Sequence, residues 1–253
     1  MIDLVKAEKE FKEYAQNYDM SLDGIKRKYQ HSFRVMNIST EIAQSLNLDK
    51  EQIDLATLIG LLHDIARFEE FVKYNNFTLG HKFDHGDYAL EILKKDNFIR
   101  KFIETDKYDD IIFTAIKNHN KFKIEDGLDE NTLLYCKIIR DADKIDIFYE
   151  GTCMFWNNKK EEMEKSLISD SYLEQFMNKQ VIFRVPEQTL VDEIVIFAAF
   201  IFDINFKYSL EKLKKEAYID KMIDRFNFND AVTVERIEKI RVFANNFIKE
   251  KSI

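Results

Sequence analysis

Six residues of this chain join a metal-binding or acid–base side chain to a place on an apolar stripe: His31, the adjacent pair His63 and Asp64, His85, His119 and Asp143. The pair stands in the run LIGLLHDIARF, Leu58 to Phe68, where a protein normally places Leu or Ile. A carboxylate buried alone costs roughly several kcal/mol, so Asp64 needs a compensating partner or a wet cleft. For such a pair, a structural hydrogen bond and a metal site are both open readings. His31 shares a helical face with Val35, Ile38 and Ile42, and by itself would be read as a core histidine bonded to a carbonyl. His63 follows Ala56 and Gly60, whose small size lets a neighbouring helix approach closely. Asp64 lies about 100° further round the helix, so both side chains can reach one point between packed helices.

The other three residues occupy similar settings. His85 opens HGDYALEIL in line with Ala89 and Ile92, and His119 follows Ile112 and Ala115 at the end of DDIIFTAIKNHN. Asp143, in IIRDADKID, has Ile139 and Ile147 four residues to either side. Singly, each is equally well a polar residue at a helix end facing water, and His81, on an expected loop, is read only in that way. All five histidines nevertheless fall between positions 31 and 119. Together the six residues bring nitrogen and oxygen donors to the inner ends of apolar stripes on separate helices. Neutral imidazole and carboxylate suit one or two divalent transition ions (Mn, Fe, Ni, Co or Zn, with Mg admissible), and coordination would compensate the buried charge of Asp64.

The elements that must position these residues are helical. Apolar residues recur at helical spacing over 3–18, 22–46 and 49–74, the last opened by DKEQ, with Gln52 three residues after Asp49 as in a capping box. Residues 75–84 read as a loop with Gly80 as breaker. Further helices are expected at about 85–104, 107–120 and 129–149, with breaks at Gly127 and Gly151. Residues 180–185 could be extended, Pro186 suits the first turn of a helix to about 205, and helices near 209–225 and 230–250 finish the chain. With only 6 Gly and 1 Pro, turn chemistry is too scarce for an all-β fold of tight hairpins. The expectation is one all-α domain over 1–253, with a core at about 20–150 and a C-terminal helical extension at about 151–253. Phe197, Phe200 and Phe202 are either core or the seam of a homodimer; helical spacing does not separate the two.

Composition narrows the function. Apolar residues at 45% and charged residues at 33% describe a soluble globular chain. A net charge of −8 disfavours a binder of duplex nucleic acid, which needs a cationic surplus against the phosphates. A small phosphorylated ligand stays compatible because local metal ions offset the chain's charge. Cys136 and Cys153 lack CxxC spacing, the start MIDLVKAEKEF does not read as a signal peptide, and the longest apolar run, Ile194 to Phe202, is too short to span a bilayer. A cytoplasmic protein with no membrane partner is expected.

The ordered set of YQHSFRV, LLHDIARF and RDADKID resembles the HD-domain superfamily of metal-dependent phosphohydrolases, over roughly residues 20–150. The resemblance implies an HD-domain-like helical bundle in which His31, His63, Asp64 and Asp143 hold one metal. Asp143 is chosen over Asp141 because it occupies the family's AD(K/R) context. His85 and His119 resemble the two additional histidines of binuclear members and imply a second metal, with Asp64 bridging. Two departures count: the GYP run of cyclic-dinucleotide hydrolases is absent after His119, and Arg67 stands where some mononuclear nucleotidases have an acid, with Glu69 and Glu70 slightly beyond.

The chemistry expected is attack of a metal-activated water on the phosphorus of a phosphate ester or anhydride, a nucleotide in the first instance. Lys144 and Arg67 are the cations nearest the candidate ligands along the chain; Lys117 and Lys82 are weaker candidates that read better as surface charges. Asp141 either orients a ligand histidine or lies exposed. Two other functions fit the same residues. One is a diiron HD-type oxygenase; the other is a non-catalytic helical module that keeps a metal as a staple or binds a nucleotide.

Overall fold

The computed structural model describes residues 2–77, 83–182 and 187–252. Gly80, His81 and Lys82 lie outside the described residues, as does the stretch 183–186 that holds Pro186 and half of the expected extended segment. Regular structure among the described residues is helical throughout, with no strand, and none of its helices is long and apolar enough to cross a membrane. The all-α class is therefore the one found. The chain divides into two compact units, Met1–Asp143 and Lys144–Ile253.

The first unit begins with α1 (Leu4–Ala15), whose first turn is capped by Asp3 accepting from the Lys6 N–H at 2.9 Å. It buries Ala7, Phe11 and Ala15, the stripe at helical spacing. Helix α2 (Asp23–Ser45) buries His31, Val35, Ile38 and Ile42 together. Helix α3 (Lys50–Leu62) opens with the capping box foreseen at Asp49 and Gln52: each side chain accepts from the other residue's backbone N–H, at 2.9 and 3.0 Å. Helices α2 and α3 pack against each other, and α3 also meets α1 and α6 (Asp109–Asn118). Gly60 makes the close approach to α2 feasible. A Cβ there would lie 2.6 Å from Ser39 Oγ and 3.0 Å from Met36 Cα.

The expected continuous helix over 49–74 is instead two. Helix α3 ends with His63 as its C-cap, and α4 (Arg67–Tyr74) begins after a tight turn. Within that turn the Ile65 N–H donates to Leu62 O at 3.0 Å and the Arg67 N–H to Asp64 O at 2.9 Å. These bonds span three residues, not four, and so wind the backbone more tightly than an α-helix. The apolar pattern runs straight across the turn because Ile65, Ala66 and Phe68 are all buried in the core, which is why periodicity alone gave no sign of the break.

Helix α5 (His85–Lys94) is capped by Asp84, which accepts from the Gly86 and Asp87 N–H groups at 3.0 and 3.1 Å. It ends earlier than the expected 104, because Asp96 and Asn97 adopt φ of 50° and 57° inside a short 3₁₀ stretch. Helix α5 packs on α6, and α7 (Glu130–Cys153) carries the chain from the first unit into the second.

The second unit continues with α8 (Lys160–Lys165), α9 (Asp170–Met177), α10 (Asp192–Ala199), α11 (Lys207–Glu216), α12 (Tyr218–Ile223) and α13 (Ala231–Lys251). Helices α8 and α9 are additions to the periodicity reading, and the expected helix at 209–225 is broken at Ala217, where φ is 50°. Residues 194–199 of α10 are buried on every side, as an all-apolar helix requires. The Phe202 ring lies 5.1 Å from those of Phe176 and Phe247, and Phe197 lies 5.2 and 5.7 Å from Phe155 and Phe200. These rings pack inside the second unit. The fully buried Asp192 joins α9 to α10 by accepting from the Ser169 N–H and hydroxyl, at 2.9 and 2.6 Å, and from the Thr189 N–H at 2.9 Å.

The fit at Gly60 is directly testable. Gly60→Val must push α2 away from α3 and should cost roughly 1–3 kcal/mol through overpacking. Thermal unfolding followed by circular dichroism should show a lower melting temperature; an unchanged midpoint would mean the helices are not in close contact there.

Candidate metal centre

Helix geometry delivers each candidate donor differently. His31 lies in the middle of α2, on the face turned toward α3. His63 is the C-cap of α3, and Asp64 follows in the tight turn. His85 is the first residue of α5, His119 is the C-cap of α6, and Asp143 lies on α7. His31, His63, Asp64 and His119 are buried, while Asp143 retains slight exposure.

The arrangement centres on Asp64. Its Oδ2 faces His31 Nε2 at 3.3 Å and His63 Nε2 at 3.5 Å. Its Oδ1 faces His85 Nε2 at 3.6 Å and His119 Nε2 at 3.5 Å. On the Oδ2 side, His31 Nε2 is also 3.2 Å from His63 Nε2 and 3.1 Å from Asp143 Oδ1, with His63 Nε2 3.8 Å from the same oxygen. Two atoms each held about 2.1 Å from one ion lie about 3.0 Å apart in octahedral geometry and about 3.4 Å apart in tetrahedral geometry. Most of these separations fall in or near that range. Two groups, His31–His63–Asp64 and Asp64–His85–His119, each gather one donor atom per residue closely enough to hold an ion.

The tautomers favour coordination. His63 Nδ1 is 2.8 Å from Gly60 O, and His119 Nδ1 is hydrogen-bonded to Ile116 O. A backbone carbonyl only accepts, so each Nδ1 carries the proton and each Nε2 presents a lone pair to the centre. His119 Nε2 is buried without a hydrogen-bond partner among the described residues, which is a costly state for an imidazole nitrogen unless a cation or a water satisfies it. His85 is held less firmly. Its Nδ1 lies 3.4 Å from both Arg67 Nη1 and Asn120 Nδ2, and its side chain is 20% exposed. Soft sulfur is missing from this donor set, which is all imidazole and carboxylate, so its chemistry fits a divalent ion of the Mn-to-Zn series.

Electrostatics point the same way. Burial pushes the His63 imidazole down to about 4, so the ring is neutral at pH 7 and available as a donor. Burial, reinforced by the Arg67 guanidinium, holds His85 well below its usual range. Burial alone would raise Asp64. The Lys28 ammonium and the surrounding imidazoles outweigh it and hold the carboxyl well below the ordinary value. Asp143 is likewise lowered despite burial, by its hydrogen bond to His31 and the charges of His31 and His63.

The cations named from sequence are not equivalent. Arg67 forms an ion pair with Glu70, lies 4.4 Å from the Phe77 ring centre and approaches His85. Lys144 belongs to the second unit, where its ammonium is 2.8 Å from Asp203 and 5.9 Å from the centre of the Phe200 ring. Lys117 is half-exposed and paired with Glu125 at 2.8 Å, as a surface charge would be. Asp141 is fully buried, which removes the exposed alternative. One cation went unnoticed in the sequence: Lys28, whose Nζ sits 2.6 Å from Asp64 Oδ2. It precedes His31 by three residues, one helical turn, and that spacing was the available signal.

The family model of the HD domain matches residues 29–147, a span that contains all six candidate donors. Over that span the chain is similar to an HD domain. HD domains are generally metal-dependent phosphohydrolases, and this chain carries His/Asp groups able to hold a metal. No curated protein and no solved structure matches the chain.

The titration of the candidate centre has a definite sign. In the unfolded chain the His63 ring takes up a proton near 6.5, whereas in the fold it does so only near 4. Between those values the unfolded state binds more protons, so stability falls as pH falls, by about 3 kcal/mol at most from this group. Above 6.5 the group contributes nothing. The lowered Asp64 and Asp143 act in the same direction, but below their ordinary carboxyl range. With metal chelated, the melting temperature should decline steadily from pH 6.5 to 4, and His63→Leu should make that decline shallower. A flat profile over this window would contradict the buried, neutral imidazole.

Proposed function

We propose that this chain is a metal-dependent phosphohydrolase that cleaves a phosphate ester or anhydride of a small molecule, in the first instance a nucleotide. The supporting observation is the division of Asp64: one carboxylate oxygen faces His31 and His63, the other faces His85 and His119. In this reading His31, His63, Asp64 and Asp143 would hold one ion, and His85 and His119, together with Asp64, would hold a second. A divalent ion held there supplies Lewis acidity and lowers the pKa of a water bound to it.

The chain's own residues do the rest. The carbonyls of Gly60 and Ile116 keep the His63 and His119 protons on Nδ1, so that neither ring rotates away. Lys28 shares Asp64 Oδ2 and keeps the carboxylate ionised. Arg67, steadied by Glu70 and Phe77, offers positive charge to the equatorial oxygens of a phosphoryl group. Lys144 is paired with Asp203 much as Arg67 is with Glu70; Arg67 is the stronger assignment because it also approaches the candidate donor His85. The free cysteines, Cys136 buried and Cys153 exposed, suit a reducing, cytoplasmic setting.

Asp64→Asn preserves the shape of the side chain but removes the charge and one shared acceptor. It should abolish stable binding of Mn²⁺ and reduce hydrolysis across a panel of nucleotides and phosphate esters by at least about a hundredfold, while far-UV circular dichroism stays native. His63→Ala should give the same pair of losses. Full turnover in either folded variant would refute the assignment, and so would wild-type turnover that persists after exhaustive chelation.

A further inference from the structure

The His119 half of the site depends on a backbone that has no regular partner. Helix α6 ends at Asn118, and the last carbonyls of a helix have no acceptor role within it. Here the ending is buried, and the residue just past it must hold its imidazole to within a fraction of an ångström. The carbonyls are met by one side chain from another helix. Arg140, on α7 and itself buried, donates from Nη1 to Asn118 O at 2.9 Å, to Lys121 O, and more distantly to His119 O at 3.4 Å; its Nη2 donates to Phe122 O at 3.3 Å. One guanidinium thus ties down the main chain on both sides of His119. The fork is suited to this, since a fixed planar set of N–H groups can address several carbonyls at once and a lysine cannot.

Two further contacts hold the same corner. Gly86, the second residue of α5, lies where a Cβ would come within 2.9 Å of Lys117 O and 2.5 Å of Asn120 Oδ1. Asp84, which caps α5 ahead of His85, accepts from Asn120 Nδ2 at 2.9 Å and pairs with Lys121. These link the turn after His119 to the start of α5. Arg140 links the same turn to α7 one helical turn before Asp143. A donor set drawn from three helices is therefore cross-braced through main-chain atoms around His119.

We propose that Arg140 is a positioning residue for the second metal: it sets His119 through the backbone and so determines whether the His85–His119 half of the centre binds an ion, without touching the ion or the substrate. This rests on the binuclear reading above and deepens it.

Equilibrium dialysis with Mn²⁺ alone, with metal counted per chain, tests the proposal on the whole 253-residue chain. Wild type should bind two ions. Arg140→Met, which keeps the length of the side chain but none of its donors, should retain one tight ion and bind the second at least tenfold more weakly. Arg140→Lys should fall between the two, and it decides the matter if the methionine variant does not fold. His119→Ala should resemble Arg140→Met in stoichiometry. A merely structural arginine would lower the melting temperature yet leave both affinities unchanged in the folded fraction; that result overturns the proposal, as does equal loss of both ions from a variant with a native circular dichroism spectrum. A wild-type chain that binds one ion overturns the second site and this role with it. A wild-type chain that binds none overturns the metal reading itself.

Discussion

The structure of the first unit is governed by one buried carboxylate. Asp64 is almost inaccessible to water, yet it is held in its ionised form beside an ammonium at 2.6 Å, with imidazole nitrogens facing both of its oxygens. An isolated charge in that place would be expelled or neutralised. Its retention requires α2, α3, α5 and α6 each to deliver a nitrogen to a volume only a few ångströms across. This demands close helix contact, which Gly60 permits against α2 and Gly86 permits against the end of α6. The same burial keeps His63 and His85 neutral, so the environment that makes Asp64 expensive also prepares its neighbours to act as donors.

Helix termini supply much of the rest. His63 and His119 are C-caps, and His85 is the first residue of its helix. At such positions backbone groups are left over, and the structure uses them. The carbonyls of Gly60 and Ile116 accept from the Nδ1 groups of the two C-cap histidines, and the carbonyls beyond Asn118 accept from Arg140. A polar residue at a helix end is ordinarily a concession to solvent. Here the ends are turned inward, and satisfying the leftover backbone groups simultaneously aims the side chains.

The second unit has a distinct basis for its stability. Its core is aromatic and aliphatic, built on the all-apolar α10 and on the Phe176, Phe202 and Phe247 rings, with Asp192 as a buried hydrogen-bonded clasp. Asp192 is satisfied by N–H and O–H donors, whereas Asp64 is paired with one ammonium and faced by imidazole lone pairs that call for a further cation. That contrast separates a carboxylate that organises a fold from one suited to a metal centre.

Much of this was legible in the residues alone. The capping box at Asp49, the apolar stripe that carries His31, the small residues before His63 and the ordered His, His-Asp and Asp signatures are all local, because helical periodicity and capping depend on neighbours within one or two turns. They indicated the all-α class and singled out six candidate donors. What they left open is long-range. The turn at 63–66 carries no glycine or proline, and an apolar pattern persists through it since the turn is as buried as the helices. Lys28 and Arg140 look like ordinary helix-surface cations until their partners, 36 and 22 residues away, are seen. Sequence spacing reports which side chains share a face of one helix; which faces meet, and at what distance, is settled by packing between helices, and only the tertiary structure decides that.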